Sequence, residues 1–330
     1  SSSPNYDTKT QRFVNRRQME FDQQMDNFDY KALSKQQLIG KETRTPKSKL
    51  PEQKPDLMAF EASTKLTYHW LGHSTVLLKI DGKVILIDPV FHNAAPVPFA
   101  VPRFQKPVLS LQELPEVDVI LITHDHYDHL DRKSVRHFRN TSTHFVVPLG
   151  VSSYLIGWGI EAERITELDW WQEHNFEELK IACTPSQHFS GRTGPRGNKT
   201  LWASFAVIGT EERFFFSGDS GYDIHFAEIG RRYGPFDIAF IESGQYNPIW
   251  FMSHMFPKES VQAGLDLHAH KMQPIHWRMF KLAMHDWYEP AEETLRIGNE
   301  RGLTVITPII GEPVSPSSNQ HFSTWWRDKK

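Results

Sequence analysis

An apolar run, Val119-Ile120-Leu121-Ile122, ends abruptly in Thr123-His124-Asp125-His126-Tyr127-Asp128-His129. Core packing has no use for three imidazoles and two carboxylates in succession. An extended chain sends alternate side chains to the same side, so His124 and His126 share a face, and the turn that follows brings Asp128 and His129 to an adjacent point. Imidazole and carboxylate are ligands that borderline Zn2+ accepts, and the single cysteine, Cys183, excludes a thiolate cage as well as an intramolecular disulfide. H-x-H-x-D-H directly after an apolar strand is a strong metal-binding motif; the alternative is a solvated polar turn with a coincidental cluster.

Four donors do not complete two metal sites, so further ones are expected where later strands stop. His188 follows Leu179–Thr184, Asp219 follows Phe214-Phe215-Phe216 in a Gly-flanked turn, and His276 ends Gln273-Pro274-Ile275-His276. Taken singly, each reads as a structural histidine or a turn aspartate. In this order behind the first motif they point to one site, because α/β scaffolds present their active-site loops at strand ends.

The scaffold that must position them is an alternation of short strands and helices. Strands are expected at 65–71, 75–80, 84–88, 117–123, 143–147, 179–184, 201–208, 213–217 and 238–241, with Asp81-Gly82 closing a tight hairpin. Helical stretches are expected near 131–139, 223–233, 257–268 and 289–301, which together suggests two sheets with helices outside. The 330 residues, 39% hydrophobic and 23% charged, suffice for one large core or two smaller ones. Residues 1–56 read as a polar N-terminal arm and linker, with a sparse helical pattern at Phe21, Met25 and Phe28, and residues 57–330 as the main folded domain. The arm is read as an appendage, its rival being an ordered strap over the core. The apolar, proline-rich loop 94–102, with Phe99 in it, is read first as a rigid connection packed on the core and second as an entrance for apolar groups.

A formal net charge of −3 leaves no basic surplus to gather a polyanion, so nucleic acid is not expected as a partner. No apolar run approaches the length of a membrane-spanning helix. The polar start Ser1-Ser2-Ser3-Pro4-Asn5 lacks an initiating Met and suits a trimmed lipoprotein of the bacterial cell envelope or periplasm, with a cytoplasmic location as the other option. The oligomeric state is left open, a homodimer included.

The chain resembles the metallo-β-lactamase superfamily, and within it the N-acylphosphatidylethanolamine-hydrolysing phospholipase D family. The resemblance rests on Trp70-Leu71-Gly72-His73-Ser74-Thr75, Ile87-Asp88-Pro89-Val90-Phe91, the run from His124 to Asp131, Glu167-Leu168-Asp169-Trp170-Trp171, Thr184-Pro185-Ser186-Gln187-His188, Gly218-Asp219-Ser220-Gly221-Tyr222 and Ile275-His276-Trp277, and spans about residues 56–310. It implies an αββα sandwich of the α/β (α+β) class, with two central mixed β-sheets flanked by helices. It further implies two Zn2+ ions, the first held by His124, His126 and His188, the second by Asp128, His129 and His276, with Asp219 bridging them. Iron or manganese would suit the same ligands. Asp88 resembles the carboxylate that orients a ligating imidazole, and His254 the histidine that contacts a substrate phosphate; Asp219, His254 and Asp128 are the residues placed in catalysis.

The function so implied is zinc-dependent hydrolysis of N-acylphosphatidylethanolamine-like phospholipids by a phosphodiesterase of phospholipase D type, using hydroxide from the di-zinc centre, with peripheral membrane contact as a corollary. Alternatives are a sugar-phosphate lactonase or another small phosphoester hydrolase of the same fold, and, in a different class, a non-catalytic metal-stabilised binding protein. One departure stands out. The family's apolar, Gly-containing stretch is here Ile241-Glu242-Ser243-Gly244-Gln245-Tyr246-Asn247, which brings a charge toward the site. His268, His270 and His285 are read as lying on solvated helix faces.

Overall fold

The computed structural model describes residues 3–95, 101–192 and 197–330. The chain opens with a short antiparallel pair, β1 (Tyr6–Asp7) and β2 (Arg12–Phe13), followed by α1 (Gln18–Asp26), α2 (Tyr30–Ile39) and, before the first sheet, α3 (Leu57–Ala62). Phe13, Phe21 and Leu50 are buried, and Gln53 N–H donates to the Ile310 carbonyl at 2.8 Å. Where the sequence reads an appendage, these residues lie on the rest of the molecule. Their anchors are a few widely spaced apolar side chains, of which only Phe21 belongs to the sparse helical pattern read in the sequence. Helix α2 differs, with no buried residue and with Tyr30, Leu38 and Ile39 exposed.

The first seven-stranded sheet grows from β3 (Thr67–Gly72), β4 (Thr75–Ile80) and β5 (Lys83–Ile87), which are antiparallel neighbours. Asp81 at φ 47° and Gly82 at φ 75° close the β4–β5 hairpin in the mirror-image turn that matches strand twist. In parallel beside β5 lie β6 (Val119–Leu121), β7 (His144–Pro148) and β8 (Ile165–Leu168), with α4 (Arg132–His137) and α5 (Ser152–Gly157) in the connections.

The second sheet starts with the antiparallel β9 (Glu173–Phe176), β10 (Leu179–Thr184), β11 (Ser204–Ile208) and β12 (Arg213–Phe216). After α6 (His225–Tyr233) come β13 (Ile238–Glu242), α7 (Pro257–Asp266), β14 (Lys271–Ile275), α8 (Glu289–Arg301) and β15 (Thr304–Val305), whose strands join in parallel. Strand β16 (Pro313–Val314) returns to pair with β3.

Strand alternation assigns each side chain to a layer. Phe214 and Phe216 point into the core between the sheets, with Trp70, Val76, Leu121 and Phe240, while Phe215 points outward onto Phe226 and Ile229 of α6. On the other sheet Leu77, Leu86 and Ile120 meet Val135 of α4 and Leu155 of α5. Both faces of both sheets are thus apolar, which makes the order helix, sheet, sheet, helix the arrangement that buries all of them. Each large side chain so buried contributes about 1.5–3 kcal/mol.

Two strands are shorter than the sequence suggests. Of 201–208 only Ser204–Ile208 joins the ladder, because Leu201 N–H donates to the Leu149 carbonyl and Ala203 N–H to the Thr123 carbonyl, in the other half of the chain. Of 117–123 only Val119–Leu121 is strand. Within the loop 94–102, residues 96–100 lie outside the described residues, Phe99 among them.

Candidate metal centre

The site lies at the ends of β5, β6, β12, β13 and β14, and Asp88 organises one side of it. Fully buried after β5, its carboxylate accepts from Thr123 N–H at 2.8 Å, Thr123 Oγ1 at 2.7 Å and His129 Nδ1 at 2.7 Å. With Nδ1–H committed to Asp88, the His129 Nε2 is turned inward, 3.2 Å from Asp219 Oδ1 and 3.5 Å from Asp128 Oδ2. His276 Nδ1 faces the Gly244 carbonyl at 3.4 Å, so its Nε2 meets Asp128 Oδ2 and Asp219 Oδ2, each at 3.1 Å. His188 Nδ1–H donates to the Ser253 carbonyl at 3.0 Å, which directs its Nε2 to within 3.3 Å of His126 Nδ1. His124 Nε2 lies 2.9 Å from the same His126 nitrogen.

Two glycines allow these loops to close up. Gly218 sits at φ 56°, and a Cβ there would fall 2.8 Å from Thr123 Cβ and 2.9 Å from the Ala203 carbonyl oxygen, so the turn carrying Asp219 could not approach the β6 end with any other residue. A Cβ on Gly244 would come within 2.2 Å of the His276 carbonyl oxygen.

The result is two interlocking four-residue clusters, with a smaller group of Asp219, His254 and His276 that shares residues with both. His124, His126, His188 and Asp219 each offer one ligand atom within 4.8 Å of the others, and so do His73, Asp128, His129 and His276. All seven sequence-predicted ligands are therefore brought together. Asp219 lies between the groups, its Oδ2 3.7 Å from His124 Nε2 and 3.6 Å from His188 Nε2. His73 is an addition: its Nε2 is 2.9 Å from Asp128 Oδ2. The sequence offered its place just past a strand end and within the family-like run Trp70–Thr75, without a role.

The electrostatics suit divalent cations. Burial, aided by neighbouring imidazoles, drives His124 and His188 well below the usual histidine range and also lowers His126, so these rings are neutral with lone pairs to give. At His129 burial acts the same way, but Asp219, Asp128 and Asp88 outweigh it and hold the ring well above its ordinary value. Burial works against ionised Asp128 and Asp219 too, yet the surrounding imidazoles keep both far below the usual carboxylate range. The field at this point favours positive charge. His129 Nε2 and Asp219 Oδ1 are moreover buried without a hydrogen-bond partner among the described residues, which a ligated cation explains.

His254 and Glu242 stand beside the clusters. The His254 ring stacks on His276 at 5.2 Å and 10°, with Nδ1 3.3 Å from Glu242 Oε2. Glu242 is fully buried and does not face the cavity mouth as a free charge; its Oε1 accepts from Ser220 N–H and Met255 N–H, both at 3.1 Å, tying the loop of Asp219 to that of His254. Burial, with the charge of Asp219, pushes its carboxyl well up. His285 is not on a helix face: Nε2 accepts from Gln245 N–H and Nδ1–H donates to the Asp286 carbonyl, each at 2.8 Å.

A cavity of about 280 Å3 opens over the clusters, floored by His126, Asp128, Asp219 and His276 and walled by Met25, Phe28, Phe189, Trp250 and Leu282. The N-terminal arm supplies two of those walls. It also grips a clustered histidine directly, since the Asn15 amide donates to the His188 carbonyl at 2.7 Å and accepts from the His188 N–H at 3.1 Å. A larger cavity, about 930 Å3, borders Tyr127 and Asp131, but none of the clustered residues lines it, so the smaller one is the candidate substrate site.

A protein-family model described as a β-lactamase superfamily domain matches residues 83–277. An uncharacterized protein of Mycobacterium tuberculosis strain H37Rv is 41% identical over 288 residues, covering 86% of this chain and 77% of that one. The N-acyl-phosphatidylethanolamine-hydrolyzing phospholipase D 1 of Caenorhabditis elegans is 35% identical over 272 residues, 77% of this chain and 76% of that one. Among solved structures, Igni18, a metallo hydrolase from Ignicoccus hospitalis, superposes with a TM-score of 0.58 at 19% identity, covering 76% of this chain and 98% of that one, a likeness of fold. The chain belongs to the metallo-β-lactamase superfamily of metal-dependent hydrolases, in the branch of the N-acylphosphatidylethanolamine-hydrolysing phospholipase D-like proteins.

Proposed function

We propose that this protein hydrolyses the phosphodiester of N-acylphosphatidylethanolamine-like phospholipids at a two-metal centre. The observation that carries this reading is Asp219 set between two histidine-rich clusters on the floor of a cavity whose walls are apolar. The phospholipase D activity in the name of the C. elegans relative supports the same substrate class.

His124, His126 and His188 would hold one cation, Asp128, His129 and His276 the other, and Asp219 both; zinc is the first choice, with iron or manganese suited to the same donors. Two such ions would supply hydroxide near neutral pH and positive charge to offset that of the phosphodiester. Asp219 orients the attacking water through its carboxylate and carries its proton toward the departing alkoxide. His254, steadied at Nδ1 by Glu242, keeps Nε2 for a phosphate oxygen. Asp88 fixes the ring of His129, and His73 braces Asp128 against it. Met25, Phe28, Phe189 and Trp250 offer contact to acyl chains. The exposed Tyr30, Leu38 and Ile39 of α2 supply an apolar surface for peripheral contact with the bilayer that holds the substrate.

The test is the initial rate on an N-acylphosphatidylethanolamine, bis(p-nitrophenyl) phosphate and a sugar-phosphate lactone, with metal content assayed alongside. Turnover of the lipid, abolished in Asp219→Asn, is expected. Full activity in that variant would remove Asp219 from the mechanism, and turnover of the lactone alone would replace the lipid with a small soluble substrate.

A further inference from the structure

A second polar site lies behind the metal centre, where Arg44 of the arm meets Arg278 and Trp287 of the segment after β14. The three line one small cavity, together with Gln245, Lys281 and His285. Arg44 Nε, Arg278 Nε and Nη1, and Trp287 Nε1 are all removed from water, and none has a hydrogen-bond partner among the described residues. Arg278 is 1% exposed, and only its Nη2 is satisfied, by the Pro51 carbonyl at 2.6 Å.

Among the described residues no side chain accepts from any of these four N–H groups. Gln245 Oε1 already accepts from Leu282 N–H, and both nitrogens of His285 are engaged. The nearby carboxylates are turned to other partners: Glu52 to Lys49 and Gln105, and Asp286 Oδ1 to the Thr43 N–H. Buried donors in native proteins find acceptors, and buried charges find counter-charges. The cavity offers about 10 Å3 to the centre of a water-sized sphere, room for one small particle and too little for phosphate or sulfate. A water molecule fits poorly in chemical terms, because it accepts two hydrogen bonds and brings two hydrogens that need acceptors of their own. A halide accepts from four donors and brings none.

We propose that this cavity binds a single chloride ion, held by Arg44, Arg278 and Trp287. The ion ties the arm to the segment 278–287, reinforcing the pairing of Trp287 N–H with the Thr43 carbonyl at 2.9 Å. It also backs Gln245, whose side-chain amide donates to the His276 carbonyl at 3.3 Å. The site is separate from the catalytic proposal and stands or falls without it.

Crystals grown with sodium bromide as the halide should show an anomalous peak within hydrogen-bonding distance of Arg278 and Trp287. In solution, the wild-type Tm should rise in sodium chloride relative to sodium gluconate at matched ionic strength, by about 4 °C at a hundredfold excess of chloride over its Kd. Trp287→Phe, which keeps the ring and deletes one donor, and Arg44→Gln should each shrink that difference while retaining the wild-type circular dichroism spectrum. Density in the cavity without a bromide signal, equal Tm in the two salts, or a chloride effect of wild-type size in both variants would overturn the proposal.

Discussion

Asn15 provides a sharp test of whether the arm positions the metal centre. Its side chain is 4% exposed and makes both of its contacts with the backbone of one residue, His188, which lies 173 positions away. Replacing it by Ala deletes two hydrogen bonds and leaves a buried N–H and a buried carbonyl without partners. At roughly 1–3 kcal/mol per orphaned group, and with some water entering the space left by the amide, the loss should be about 2–4 kcal/mol. Asn15→Asp separates the two contacts. It keeps an acceptor for the His188 N–H but sets a carboxylate oxygen against the His188 carbonyl where the amide stood at 2.7 Å, so it should cost at least as much as Ala. Because His188 Nε2 is directed into the cluster by this loop, metal affinity should fall by about 10–100-fold, as for other residues that orient a ligand. Urea unfolding of the metal-loaded protein and competition with a chromophoric chelator give the two numbers. A wild-type unfolding midpoint together with wild-type metal affinity in both variants would refute the reasoning and return the arm to the status of an appendage.

Two further outcomes follow from other contacts. Asp88→Asn keeps one acceptor but turns an amide donor toward Thr123 and His129, which are themselves donors, so metal affinity should drop by about 10–100-fold in the same chelator assay; unchanged affinity would dismiss Asp88 as an orienting group. The double substitution Leu38→Asp, Ile39→Asp on α2 should weaken sedimentation with phospholipid vesicles by tenfold or more, since burying a Leu fully is worth about 1.5–3 kcal/mol, while leaving turnover of bis(p-nitrophenyl) phosphate unaltered. Vesicle binding equal to wild type would show that α2 does not meet the bilayer.

The layered fold was legible in the sequence because both its periodicities are local. Runs such as Phe214-Phe215-Phe216 and Val119-Ile120-Leu121 announce strands buried on both faces, and Asp81-Gly82 announces a hairpin, without reference to anything distant. The same holds for His124, His126, Asp128 and His129, where one strand end and one turn carry four chemically committed side chains. His188, Asp219 and His276 could be proposed from their places at strand ends and from the resemblance, but their meeting point could not.

Only the tertiary structure decided which strand ends face one another, and with that the company each residue keeps. It placed His73 against Asp128 across 55 positions, set the Glu242 carboxyl beside His254 and His276 as a buried tie between two loops, and brought Asn15 to His188. It also shortened the strand expected at 201–208, because Ala203 N–H found the Thr123 carbonyl in place of a ladder partner. The physical reason is common to all of these. A side chain's chemical type and its local periodicity are written in its neighbours along the chain, whereas a hydrogen bond, a desolvated charge or an orphaned donor is defined by neighbours in space, which exist only once the two sheets have packed and their loops have closed over the same end.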